Sequence, residues 1–304
     1  MSLLVLKERE VRALLPMAEC IEAMDGVLRS LARGELHQPL RLVTRPPEGE
    51  TLMGFMPAWR GGDGSTWSLK EIVIAPGNPK RGLDAHQGAV LLHDGETGEL
   101  RALLNASPIT EIRTAAVSAV ATRALARRDP KVVAILGGGV QGRSHVEAMR
   151  SVLPAAEIRT WSRGDGGTPE ETLRGADVVC TCTSAREPIL RREWLAPGTH
   201  VNAVGSSVPS SRELDTETMA AASLFVDRRE STLNESGDLL LAGLGEEHIR
   251  AELGEGLIGG HPGRADDDEL TVFKSLGLGV EDLAAAELIV RKAREQGVGA
   301  EVDF

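Results

Sequence analysis

Residues 132–149 constrain this chain more than any other stretch. Val132-Val133-Ala134-Ile135-Leu136 reads as a buried strand, Gly137-Gly138-Gly139-Val140-Gln141-Gly142 as a glycine turn, and Arg143-Ser144-His145-Val146-Glu147-Ala148-Met149 as an amphipathic helix. Gly137 can take the tight turn, Gly139 has no side chain to block phosphates, and Gly142 lets the helix pack closely on its strand. The first N–H groups of such a helix are free and carry a partial positive charge, so the turn suits a pyrophosphate. The apolar strand before the glycines and the amphipathic segment after them raise the motif above a glycine-rich turn joining two core elements.

At 304 residues the chain is long enough for two domains, each with its own core. With 34 basic against 45 acidic side chains the formal charge is −11, which leaves no broad basic footprint for nucleic acid or an anionic membrane. Any anionic ligand must be met by locally placed arginines and lysines. The segment Met1-Ser2-Leu3-Leu4-Val5-Leu6-Lys7-Glu8 turns charged before a signal-peptide core can form, and no apolar run approaches the roughly 20 residues of a membrane span. A cytoplasmic location is therefore expected. Cys20, Cys180 and Cys182 form no partner pattern and read as core packing, and the seven histidines show no ligand spacing, so no metal is expected. Tyrosine is absent, which excludes reductases of the short-chain type, whose acid is a tyrosine hydroxyl.

Apolar positions at helical spacing over 11–35 predict a helix or helix pair. Residues 40–44, 51–57, 66–74 and 89–93 then alternate or run apolar between turn residues, as strands of a mostly antiparallel sheet, with a hairpin-like turn at 93–98 leading into 100–104. An alanine-rich helix over about 110–127 ends at Asp129-Pro130, the expected domain boundary. Beyond it, strands and helices alternate through 132–226 as a parallel α/β sheet requires. The helical pattern at 283–290 is expected to return to the first domain. The fold class is thus α/β: a Rossmann-type doubly wound parallel sheet over 130–278, plus a discontinuous α+β domain for substrate binding and dimerisation over 1–129 and 279–304. Only Gly164 to Ala176 separates the second strand of the nucleotide-binding half from the strand at Asp177, room for one helix, so strand 3 of that half is expected to be missing.

The glycine turn with Val140-Gln141, the run from Ile112-Arg113-Thr114 to Thr122, Asn202-Ala203-Val204-Gly205-Ser206-Ser207, Arg212-Glu213-Leu214-Asp215, Glu235-Ser236-Gly237-Asp238 and Thr271-Val272-Phe273-Lys274-Ser275-Leu276-Gly277 together resemble the ornithine cyclodeaminase/mu-crystallin family. The resemblance spans nearly the whole chain and implies a homodimer built through the first domain, NAD or NADP in the second, and a small imino- or amino-acid substrate between them. It places the substrate carboxylate on Arg41 and Arg113, with Lys70 close to the reacting centre. Arginine's rigid fork suits a carboxylate, and a lysine whose pKa is depressed by neighbouring arginines can relay a proton to the nitrogen being reduced. Further cofactor contacts implied by the match are Arg113, Thr114, Gly137, Gly139, Val140, Gln141, Gly142, Thr183, Val204 and Phe273, with His86 near the domain junction.

One departure bears on the reaction. Cyclodeaminases and alanine dehydrogenases of the family resemble each other in carrying an aspartate where this chain has Ser207, and a serine cannot serve as a carboxylate base toward an ammonium substrate. The chain therefore looks closer to the mu-crystallin branch, whose members are ketimine reductases. Ser207 could position the imine or a water, or only satisfy a turn. At the end of the second strand Ser162-Arg163 suit a 2′-phosphate, which favours NADP(H), while Asp165 keeps NAD(H) possible. The expectation is an NAD(P)H-dependent reduction of cyclic 2-imino acids such as pyrroline- or piperideine-2-carboxylate, with Lys70 and Ser207 as catalytic candidates. The alternatives are ornithine cyclodeamination with NAD and a non-catalytic protein that binds NADPH or another small ligand.

Overall fold

Strict alternation of side chains along three long strands organises the first part of the chain. In the computed structural model, which describes residues 2–304, these strands belong to a sheet built from β1 (Ser2–Leu6), β2 (Leu36–His37), β3 (Leu42–Thr44), β4 (Leu52–Arg60), β5 (Thr66–Ile74), β6 (His86–Asp94) and β7 (Leu100–Asn105). The order is β1-β7-β6-β5-β4-β2, with β3 also paired to β4 and the C-terminal strand Ala300–Asp303 added outside β1. All pairings are antiparallel except β1 with β7. One face packs inward: Met56, Lys70, Val90 and Leu104 share a register and are all buried. The predicted helical stretch at 11–35 is a pair, Glu8–Leu14 and Met17–Ala32. The second buries Met17, Cys20, Ile21, Met24, Val27 and Leu28 at the period of one helix face.

The helix Gly279–Gln296 joins this unit, so that residues up to Arg113 and from Leu278 onward form one body. The other body is Thr114–Gly277, and the division falls inside the alanine-rich helix Ala106–Leu125 rather than at Asp129-Pro130. The reason is local to the second body. From Ala115 to Thr122 the helix carries small or β-branched side chains buried on every side, and it is held there by Ser118 against His145 and by Thr122, whose hydroxyl accepts from Asn202 at 2.9 Å. Asp129-Pro130 does turn the chain after the helix, with Asp129 at a φ of 54°.

The second body carries a seven-stranded parallel sheet of β8 (Val132–Leu136), β9 (Glu157–Trp161), β10 (Val178–Thr181), β11 (His200–Ala203), β12 (Ser223–Val226), β13 (Ile249–Glu252) and β14 (Thr271–Lys274), in the order β13-β12-β14-β11-β10-β8-β9. The central strands are buried at every position, as expected of a sheet covered on both faces. β9 is the sheet edge, and a single short helix, Pro169–Leu173, carries the chain from it to β10, so strand 3 is absent. The order reverses at β8, whose neighbours are β9 and β10, which makes the carboxyl ends of β8 and β10 the crevice where such sheets bind ligands. Among the described residues, no helix is long and apolar enough to cross a membrane, and no group of three His, Cys, Asp or Glu is arranged to hold a metal ion.

Candidate functional site

In the first body a cluster of buried charges forms around Lys70. Lys70 points inward from β5 and is 1% exposed. An isolated ammonium would not remain charged at such depth, and here it meets the carboxylate of Asp282, with Nζ 2.6 Å from Oδ2. The other oxygen of Asp282 accepts from Nε of Arg113 at 3.1 Å, and an Nη of Arg113 donates to Glu281 at 2.8 Å. Asp282 thus touches both cations. Burial pushes the Lys70 pKa down to about 8; the positive charges of Arg113 and Arg41 act in the same direction, and Asp282 opposes them. His86, at the start of β6, is held below its ordinary pKa by its crowded surroundings and by the charges of Lys70 and Arg113. Arg41, Lys70, His86 and Arg113, separated by up to 72 residues in sequence, are therefore brought into one electrostatic cluster.

The helix start at Gly279 explains how two carboxylates reach this place. A Cβ on Gly279 would lie 3.1 Å from the Pro57 carbonyl oxygen and 3.2 Å from that of Met56, so glycine lets the helix end press against β4. The side chain of Gln38 accepts from the Val280 N–H at 3.0 Å and closes that end. Glu281 and Asp282 then fall in the first turn, where the helix dipole favours anions. Neither acid is anticipated from the sequence, because the predicted helix begins only at Leu283; adjacent acids just after a glycine were the available signal.

In the second body the glycine turn has the shape its sequence suggests. Gly137 has a φ of 134°, and a Cβ there would lie 2.5 Å from the Cys182 carbonyl oxygen. On Gly142 a Cβ would meet the Gly137 carbonyl oxygen at 1.7 Å, whereas on Gly139 it would meet nothing within 4 Å. Two glycines are closed in by backbone and the third opens onto free space, which is the cradle a dinucleotide pyrophosphate needs. Val140, at the helix start, is 43% exposed although apolar. Gln141 and Thr114 are linked through buried His145, whose Nδ1 lies 2.8 Å from the Gln141 carbonyl and whose Nε2 lies 2.9 Å from Ser118 Oγ, one turn beyond Thr114. Burial holds the His145 pKa at about 4, so the ring is neutral: Nδ1–H donates to the carbonyl and Nε2 accepts from the serine.

The remaining candidates lie at the carboxyl ends of β9, β10 and β11. Ser162 packs on the turn, since a Cβ on Gly138 would lie 2.7 Å from its Cβ, and its hydroxyl donates to Asp165 at 2.6 Å. Arg163 is exposed beside it. Thr183, Val204 and Ser207 follow β10 and β11, and Glu213 holds the backbone at Thr183 and Gly205. That buried carboxylate accepts from Thr181 Oγ1, Thr183 N, Thr183 Oγ1 and Gly205 N, each at 2.7 Å, and its own backbone N–H donates to Asp238, which also pairs with fully buried Lys274 at 2.9 Å. In the sequence Glu213, Asp238 and Lys274 stand only inside blocks that carry the family resemblance, with no role attached to them. Ser207 is half-buried, with no carboxylate standing in its place. Phe273 is the exception: its side chain is fully enclosed in the sheet, opposite Asn202 and Phe225.

The family signature for the ornithine cyclodeaminase/mu-crystallin family matches residues 1–170 and 166–297. The two segments meet where the crossover after β9 is short. The ketimine reductase mu-crystallin of Mus musculus is 40% identical over 288 residues, covering 88% of this chain and 90% of that protein. The Delta(1)-pyrroline-2-carboxylate reductase of Thermococcus litoralis, solved with NADH and L-proline, superposes with a TM-score of 0.90 at 34% identity over 98% of this chain and 100% of that one. An archaeal alanine dehydrogenase, solved as a dimer with NAD bound, superposes with a TM-score of 0.93 at 31% identity over the full length of both chains.

Proposed function

The chain belongs to the ornithine cyclodeaminase/mu-crystallin family, and from that premise we propose that it is an NAD(P)H-dependent oxidoreductase reducing cyclic 2-imino acids, of the pyrroline- or piperideine-2-carboxylate kind, to cyclic amino acids. The observation that carries the reading is the inward-facing lysine beside a buried arginine, Lys70 with Arg113. A carboxylate needs a guanidinium, and an imine nitrogen needs a proton at the moment its carbon is reduced.

Arg113 and Arg41 take the substrate carboxylate, and bidentate arginine contacts fix the ring plane. Lys70 donates its proton to the ring nitrogen; its pKa of about 8 lies near neutrality, where a group can both hold and release a proton. The cradle at Gly137, Gly139 and Gly142, with Val140, Gln141, Thr183 and Val204, fits a nicotinamide dinucleotide. When bound in reduced form, that cofactor supplies the hydride for the imine carbon. One imine, one NAD(P)H and one proton become one amine and one NAD(P)+. Ser207 in place of an aspartate favours direct reduction over ammonia release, since the ornithine route needs a base for the substrate ammonium.

Two finer features belong to the same proposal. Arg163, exposed beside Ser162, favours NADP(H) through the 2′-phosphate, and Asp165, which already receives the Ser162 hydroxyl, allows NAD(H). The working unit is a homodimer formed through the sheet of the first body. The test is a nucleotide-oxidation assay with five- and six-membered cyclic imino acids under NADPH and NADH. Lys70→Met should keep nucleotide binding and lower turnover by about 100-fold or more. Unchanged turnover in that variant would overturn the role of the lysine, and no oxidation with any cyclic imine would overturn the reading.

A further inference from the structure

We propose that Asp282 is the positioning residue of this site: its single carboxylate keeps the Lys70 ammonium charged and aims the Arg113 guanidinium, so both cations meet a substrate carboxylate and imine without rearranging. The inference rests on the imine-reductase reading and deepens it.

The geometry places this side chain between the two cations. Asp282 Oδ2 is 2.6 Å from Lys70 Nζ while Oδ1 is 3.1 Å from Arg113 Nε, so the same carboxylate spans β5 and the alanine-rich helix. Glu281 is as deeply buried and pairs with Arg113 at 2.8 Å. Titratable and charged groups face the lysine from four other elements: Asp282 from the C-terminal helix, Arg113 from the alanine-rich helix, Arg41 from the segment before β3, and the neutral ring of His86 from β6. Of these, Asp282 is the one anion. Without it, burial and two guanidinium groups all act against the ammonium, and the proton needed by the imine nitrogen would be lost at neutral pH. Cys20, from the helix Met17–Ala32, borders Arg113 and the acids and stays a buried thiol.

The aspartate also fixes direction. Gln38 and Gly279 lock the helix end that carries it, so the two cations are held by a rigid element.

The chain has six lysines, which makes direct titration practical. Full-length protein labelled with 13C at lysine Cε is followed by NMR across pH, with the Lys70 signal assigned by its loss in Lys70→Met. In Asp282→Asn the Lys70 midpoint is expected to fall by about one pH unit or more, and in Asp282→Glu to stay near the wild type. Steady-state kinetics with pyrroline-2-carboxylate should show the alkaline limb of kcat/KM moving to lower pH in Asp282→Asn and returning in Asp282→Glu, with KM for the imino acid raised in both. A merely structural role would lower the amplitude and leave the limb in place, and that result, or an unmoved Lys70 midpoint, overturns the proposal. Should Asp282→Asn fail to fold, Asp282→Glu decides, because its longer side chain retains the charge but shifts the guanidinium; wild-type KM and kcat there would overturn it. If the wild type reduces no cyclic imine, the functional reading falls by itself, and the Lys70 titration still decides what Asp282 does.

Discussion

Three of the four glycines in residues 137–142 carry unequal burdens. At Gly142 an added methyl group would sit 1.7 Å from the Gly137 carbonyl oxygen, a backbone atom that no rotamer can move aside. At Gly139 the same group would meet nothing within 4 Å. The two alanine substitutions should therefore separate folding from binding. Gly139→Ala is expected to melt within a degree or so of the wild type while binding dinucleotide about tenfold or more weakly, because its methyl group projects where the pyrophosphate would approach. Gly142→Ala is expected to lower the melting temperature by several degrees and to lose binding as well, since the helix can no longer close on its strand. Thermal denaturation with nucleotide titration by fluorescence checks both. Gly139→Ala with wild-type affinity would place the phosphates elsewhere.

At the scale of elements, two neutral histidines tie the alanine-rich helix to its neighbours in the second body. His145 links the helix after β8 to the alanine-rich helix, and His200 in β11 meets Thr271 in β14, whose hydroxyl donates to the Leu125 carbonyl. Burial holds their pKa values at about 4 and about 3, with Arg264 adding to the effect at His200. In the unfolded chain each would titrate near 6.5, so between roughly pH 4 and 6 the unfolded state binds more protons and stability falls as the pH is lowered. Each contributes a slope of about 1.4 kcal/mol per pH unit in that window. Glu213, whose pKa burial raises, has the opposite sign, so the comparison must be between variants. His200→Gln should flatten the pH dependence of unfolding free energy by about that amount, measured by urea denaturation from pH 4.5 to 6.5; an unchanged slope would mean the ring is already protonated in the fold.

These elements also show what pattern can and cannot reveal. The strand, turn and helix around Gly137 were legible because one local motif specifies all three, and the missing strand was legible because thirteen residues cannot hold a helix, a strand and another crossover. Lys70 and Arg113 were legible only through resemblance, since nothing local distinguishes them from surface cations. Asp282, Glu213, Asp238 and Lys274 were not, because each becomes meaningful through partners many residues away in sequence. β13 was hidden for a related reason: at four residues and on the sheet edge, Ile249–Glu252 lacks a period long enough to detect. The unit boundary was displaced because the alanine-rich helix serves both bodies, and a helix pattern does not record which neighbours it packs against.

For the molecule as a whole, the first body presents an unusual sheet face. Opposite the side that buries Lys70, one register row runs Pro57, Leu69, Leu91, Leu103 and Val5 across β4, β5, β6, β7 and β1, all apolar and all only partly covered within the body. On one side the next register row is Phe55, Glu71 and Ala89, with the carboxylate between two apolar residues, and on the other Trp59 packs on Trp67 at a ring separation of 6.1 Å. An antiparallel sheet that faces water normally alternates to polar residues on that side, so an apolar row five strands wide calls for a cover. A second copy of the same face would supply one of equal length and chemistry, since a two-fold contact is self-complementary. Leu91 sits mid-row, and its replacement by glutamate would place two carboxylates in the apolar centre of such a contact. If this face dimerises, the wild type is expected to sediment as a dimer and Leu91→Glu as a monomer, with the far-ultraviolet circular dichroism of the fold retained. A wild-type chain that remains monomeric at about 100 µM, well above the micromolar range in which a stable interface persists, would overturn the assignment of this face.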